Sequence, residues 1–169
     1  IMHAAPPLAV VPRRILGFAR DADGDWVARL DCGHRRHIRH RPPLADYPWI
    51  ADAAARAGKI GAEIECERCA RAELPGDAAA YRTTTVFDEA TLPTGLRRDH
   101  TTGAGVWGRV ELLAGRLRFV MPALATDQII EAGGHAIIPP GLPHHVEPLG
   151  PLRFQVVFLR VPSPIEPAR

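Results

Sequence analysis

The 169-residue sequence contains no run of about 18 consecutive apolar residues, which excludes a membrane-spanning helix. It also lacks the basic-then-apolar start of a secretory signal, so a cytoplasmic location without membrane association is expected. Cysteine is scarce. Cys32, Cys66 and Cys69 all fall in the first half, and an odd number without an export signal argues against a disulfide framework, leaving metal binding or redox chemistry. A strong charge of one sign is missing too, since the net charge is +2. Aromatic residues do not interleave with the local run of Arg35, Arg36, Arg39 and Arg41, crowded among His34, His37 and His40. That run is therefore expected to be a solvated face rather than a nucleic-acid surface. There is no internal repeat, and low complexity is confined to the proline-rich ends.

What is present is apolar material for a real core, 46% of the chain, enough for one domain or two small ones. Residues 1–12 are expected to be a disordered or expression-derived start, and 163–169 a tail. The composition changes at Leu74-Pro75-Gly76-Asp77, which places a linker over 74–80 between domains over 13–73 and 81–162. In the first, Ile15 to Phe18 and Trp26 to Leu30 read as strands joined by an Asp-Gly turn over 21–25, and the alanine-rich Trp49 to Ile60 as a helix. In the second, strands are expected at Gly105 to Leu113, Arg116 to Met121, His135 to Pro139 and Arg153 to Val161, with Gly115 as a tight hairpin. Short strands punctuated by glycine and proline point to a barrel or sandwich.

Two pairs of soft ligands stand out in the first half: Cys32-Gly33-His34 after a strand, and Cys66-Glu67-Arg68-Cys69 some thirty residues later. Paired ligands on short turns are how tetrahedral zinc staples a small domain, and a closed Cys3His set is structural rather than catalytic. His37 is an alternative fourth ligand, with His40 beyond the ligands or on the basic patch. The run from Asp25 to His34, with His37, Arg39-His40, Pro42-Pro43, Pro48-Trp49 and the Cys66/Cys69 pair, resembles a small bacterial domain family of unknown function over about 15–70.

In the second half, Gly133, Pro139, Gly141 and His144 fill every slot of the second metal motif of cupin barrels. The first cupin motif is degraded: His100 occupies its first histidine slot, Thr102 the second, and Gly108 the glutamate slot. Strand alternation turns Val106, Gly108, Val110 and Leu112 inward and Trp107, Arg109 and Glu111 outward. The run His100 to Gly108, with Gly115-Arg116-Leu117, His144 to Glu147 and Phe154 to Phe158, resembles the tellurite-resistance TehB-like cupin domain over Tyr81 to Arg160. The resemblance implies a mainly β protein with a cupin (jelly-roll) barrel, here preceded by a small zinc-stapled α+β domain. It also implies a divalent metal and an association with oxyanion or nitrosative stress. The family often carries lysine where this chain has Gly103.

His100 and His144 are the expected cupin metal ligands, with Glu147 as third; His145 and His135 are rim residues. Such a set suits zinc, iron(II) or nickel. The inward wall of Val110, Leu112, Leu117 and Phe119 makes an apolar pocket short of acid–base groups, and no catalytic residue is assigned. Two functions remain: a metal-dependent enzyme on a small molecule, such as an oxygenase or isomerase, or a non-catalytic sensing or binding module whose zinc domain contacts a partner or nucleic acid. Outward Trp107 serves either a homodimer or a contact with the N-terminal domain.

Overall fold

The computed structural model describes residues 9–162, so the start over 1–8 and the tail over 163–169 lie outside the described residues. Strand β1 (Pro12–Arg20) turns back into β2 (Trp26–Leu30) as the turn chemistry dictates. Asp21 Oδ1 accepts the backbone N–H groups of Asp23 and Asp25 at 2.9 Å, and Gly24 takes a φ of +81°, a conformation that costs glycine little. Val11 is already buried and its carbonyl accepts the Cys66 N–H at 2.9 Å, so order begins before Arg13. Strand β3 (Arg35–His37) flanks β2.

The alanine-rich segment is not one helix. A 3-10 turn over Pro48–Ala51 is followed by α1 (Ala53–Ala57). Asp52 between them stays extended and caps α1, its carboxylate accepting the Ala55 N–H at 2.7 Å. Strand β4 (Glu63–Glu65) then pairs with β1, completing a four-stranded sheet in the order β3-β2-β1-β4. Helix α2 (Glu67–Ala70) follows Cys66.

The remaining strands are β5 (Ala79–Thr83), β6 (Phe87–Asp88), β7 (Trp107–Ala114), β8 (Arg116–Met121), β9 (Thr126–Glu131), β10 (His135–Ile138), β11 (His145–Pro148) and β12 (Arg153–Arg160). One sheet runs β10-β7-β12-β5 with β6 also on β12; another runs β11-β8-β9. The two curl as an open half-barrel over an apolar core that includes Val110, Leu112, Leu117, Phe119, Ile138, Val146 and Phe154. Gly115 is not a hairpin, because β7 and β8 belong to different sheets. It turns the chain from one to the other with a φ of +81°, where a Cβ would stand 2.2 Å from the Pro151 carbonyl oxygen. Only glycine fits that corner.

A second core joins the two halves. Ile15, Leu30, Cys32, Cys66 and Cys69 pack with Trp107, Val157 and Leu159 from the outer face of the five-stranded sheet. The Trp107 end of the outward face of β7 is thus covered within one chain, and Trp107 is 0% exposed. No helix among the described residues is long and apolar enough to cross a membrane.

Candidate functional site

Two clusters of histidine and cysteine chemistry emerge, one in each half. In the first, the turn after β2 carries Cys32 and His34, Cys66 precedes α2 and Cys69 lies within it; all four are buried. Their ligand atoms lie within 4.8 Å of one another. His34 Nδ1 is 3.5, 3.3 and 3.6 Å from the sulfurs of Cys32, Cys66 and Cys69, and the Cys32 and Cys66 sulfurs are 3.9 Å apart. A tetrahedral ion with zinc-like bonds requires about 3.6 Å between nitrogen and sulfur and about 3.8 Å between sulfurs. The donor set fits that geometry and leaves no open position. It is a metal-binding-capable cluster.

The turn geometry makes the approach possible. Gly33 has a φ of +91°, and a Cβ there would lie 2.4 Å from Val161 Cγ2, so only glycine lets the knuckle press against the end of β12. Three buried thiols this close compete for one ionised state. Hydrogen bonds from Cys32 and then Cys69 hold the Cys66 thiol far below its usual range. Its contacts with Cys66 and Cys69, with burial, push Cys32 far up. Cys69 is drawn down by Cys32 but raised more by Cys66 and burial, to about 11. A divalent cation removes that competition by taking all three as thiolates.

The surroundings match the charge. Three thiolates and a neutral imidazole around a divalent ion leave one negative charge, and Arg13 Nε donates to Cys69 Sγ at 3.3 Å. Trp107 Nε1 donates to the Cys32 carbonyl at 2.7 Å, and its ring meets that of His34 at 82° with centroids 5.3 Å apart. His37, the alternative ligand, points elsewhere: its Nε2 is 2.7 Å from Asp21 Oδ2. His40 Nδ1 accepts the Tyr47 backbone N–H at 3.0 Å. Neither Arg13 nor Trp107 was identifiable from spacing, because both reach the cluster from distant strands.

In the second half, His100 and His144 face each other across a single antiparallel bridge, with N–H to carbonyl bonds of 3.0 Å in both directions. Their ring centroids are 4.2 Å apart. Each ring is tied the same way, His100 Nδ1 to the Arg98 carbonyl and His144 Nδ1 to the Leu142 carbonyl, at 2.9 Å. A carbonyl only accepts, so Nδ1 carries the proton and Nε2 is left with its lone pair. Burial, reinforced by nearby His100, pushes His144 down to about 4 despite the Leu142 bond. It is neutral at pH 7. Both rings border a cavity of about 250 Å³ lined chiefly by apolar side chains, Phe87, Val110, Ile138, Phe154, Val156 and Phe158 among them.

Glu147, the expected third ligand, is not gathered there, whereas Thr102 does line the cavity. Glu147 lies two strand positions past His145, with parity opposite to His144, and β11 is regular over 145–148, so its carboxylate is carried to the outer face. There it bonds Arg118 at 2.9 Å and His145 at 3.3 Å, and the Arg118 contact holds its carboxyl below the usual range. His145 is also 2.7 Å from Asp99. Thr102 donates to the Val106 carbonyl at 2.7 Å. A Cβ on Gly108 would meet Ile138 Cδ1 at 3.1 Å, so Ile138 fills the space of the missing glutamate. His135 is exposed at the start of β10.

Comparison with known proteins follows the same division. Residues 16–73 match the family described as protein of unknown function (DUF3565), and residues 82–156 match the TehB-like domain. No curated protein matches. Among solved structures, a structural-genomics protein from Escherichia coli strain K12 is similar at 24% identity and a TM-score of 0.51, over 54% of this chain and 98% of its own. TehB from Haemophilus influenzae is similar at 24% identity and a TM-score of 0.47, over 51% of this chain and 32% of its own, so this chain spans about a third of TehB. The first likeness supports the fold of the C-terminal half. That half is a TehB-like domain, joined to an N-terminal unit that carries the Cys32, His34, Cys66 and Cys69 cluster.

Proposed function

We propose that this chain is a two-part, non-catalytic small-molecule-binding protein. A structural zinc ion on Cys32, His34, Cys66 and Cys69 staples a domain over 13–73; a linker over 74–80 leads to a cupin jelly roll over 81–162. The observation that carries the binding reading is the His100–His144 pair, in which both Nδ1 atoms are tied to carbonyls beside an apolar cavity. The matching ligand is a compact, mostly apolar molecule that offers one hydroxyl or amide hydrogen to an imidazole Nε2. The cavity is at the small end for ligand pockets, and no carboxylate lines it, so the two imidazoles are its main polar anchors beside Arg82.

The probe is 1-naphthol, an apolar ring with one hydroxyl donor. Saturable binding to the wild type, weakened in His144→Ala and blocked in Val156→Trp, is the expected result. Absence of binding, or binding indifferent to both substitutions, contradicts the proposal.

A second reading is favoured by the same Nε2 arrangement: a divalent ion, zinc, iron(II) or nickel, on His100 and His144, its coordination completed by ligand or water. Glu147 has no part in it. The two readings separate by metal content after purification without added metal. The binding reading expects one zinc per chain, retained in His144→Ala and lost in Cys69→Ala; the second expects another ion that His144→Ala removes.

A further inference from the structure

A second cavity, of about 290 Å³, lies against the metal-binding-capable turn, with Cys32 among its walls, and is separate from the His100–His144 cavity. Its walls come from both halves: Arg29 of β2, Arg35 of β3, the loops at Gly33 and Gly105, and Arg160 at the end of β12. Gly33 and Gly105 both have positive φ, at +91° and +68°. The second would place a Cβ 3.4 Å from the Asp31 carbonyl oxygen. These glycines let the two loops close on each other.

Three arginines line that groove. Arg29 and Arg35 are directly opposite across the β2–β3 ladder, an arrangement of like charges that destabilises a sheet unless something offsets it. Arg29 is half-buried. Its guanidinium lies across β1 at Gly17, where a Cβ would come within 2.8 Å of Nη2, so the glycine clears the space. Arg160 stacks over the Tyr81 ring at 3.9 Å, which fixes it at the rim. None of the three forms an ion pair among the described residues. Asp31 and Asp77 also line the groove, so three positive groups against two negative ones leave it net positive.

We propose that this groove binds a small molecule bearing a phosphate or carboxylate group, held by Arg29, Arg35 and Arg160. Guanidinium forks match both oxyanions in geometry and charge. An anion between Arg29 and Arg35 turns their repulsion into a shared attraction. The site is independent of the His100–His144 cavity and stands or falls separately from it.

The test is titration of the full chain with inorganic phosphate and, in a separate arm, acetate, at ionic strength held constant with chloride, followed by amide NMR shifts. Saturable shifts at Gly33 and Gly105 are expected with one of the two anions, and the arm that saturates identifies the group. Arg29→Ala and Arg35→Ala each weaken binding by about tenfold, the loss of one charge-assisted hydrogen bond. Arg116→Ala, which removes a remote arginine paired with Glu131, changes nothing. Spectral dispersion confirms that each variant is folded. The proposal is overturned if neither anion gives saturable shifts into the tens of millimolar, or if the Arg29→Ala/Arg35→Ala double variant binds as the wild type does.

Discussion

Trp107 is where the metal-binding-capable turn meets the TehB-like sheet, so Trp107→Phe is the substitution that most directly measures their coupling. The indole is fully buried and donates its Nε1 hydrogen to the Cys32 carbonyl at 2.7 Å. Phenylalanine keeps most of the apolar contact but leaves that carbonyl unpaired, a cost of about 1–3 kcal/mol. The smaller ring adds a modest void, bringing the expected loss to about 2–3 kcal/mol. For a chain of this size each kilocalorie moves the midpoint by about 2–4 °C, so the drop should be about 4–12 °C. Circular dichroism gives the midpoint, and release of zinc to a chromogenic chelator reports the N-terminal cluster. Both are expected to shift together, because one side chain serves both halves. A midpoint within about 1 °C of the wild type, or a lower midpoint with unchanged zinc release, refutes the coupling.

Other outcomes follow from single positions. Gly33→Ala combines an unfavourable positive φ with a close Cβ contact at Val161 and is expected to destabilise by about 2 kcal/mol or more in urea unfolding; Val161→Ala in the same chain recovers only part of the steric cost, because the Val161 Cβ itself stands 2.9 Å away. His144 is depressed to about 4 from an ordinary 6.5, so the unfolded chain binds more protons between those values. Stability should therefore fall as pH drops from about 6.5 towards 4, by about 3 kcal/mol in all, a slope that His144→Gln removes. Glu147→Gln is expected to leave metal content and naphthol affinity unchanged, since its carboxylate is held outside by Arg118; a loss of either returns it to the pocket.

Features governed by residue type and local spacing were legible in the sequence. The Asp21-to-Asp25 turn, β8 over Arg116–Met121, and the gathering of Cys32, His34, Cys66 and Cys69 each depend on groups whose chemistry leaves few alternatives. Long-range pairing was not legible. Gly115 sits between two strands in the sequence, yet its neighbours join different sheets, and only the approach of Pro151 shows why. Strand β9 escaped notice because Ile130 is buried while Ile129 is 52% exposed, which blurs its alternation. Of the arginines crowded over 35–41, Arg36 meets an aromatic that the sequence does not place beside it: its guanidinium stands 5.8 Å from the Tyr47 ring. The side of Glu147 depended on whether β11 bends at Pro148, and it does not.

The most direct test is zinc-edge X-ray absorption of the full chain purified without added metal, combined with its zinc content. One zinc per chain with a shell of three sulfurs at about 2.3 Å and one nitrogen at about 2.0 Å is the expected result. No zinc, or a shell of nitrogen and oxygen alone, contradicts it, and the second of these moves the metal chemistry to His100 and His144.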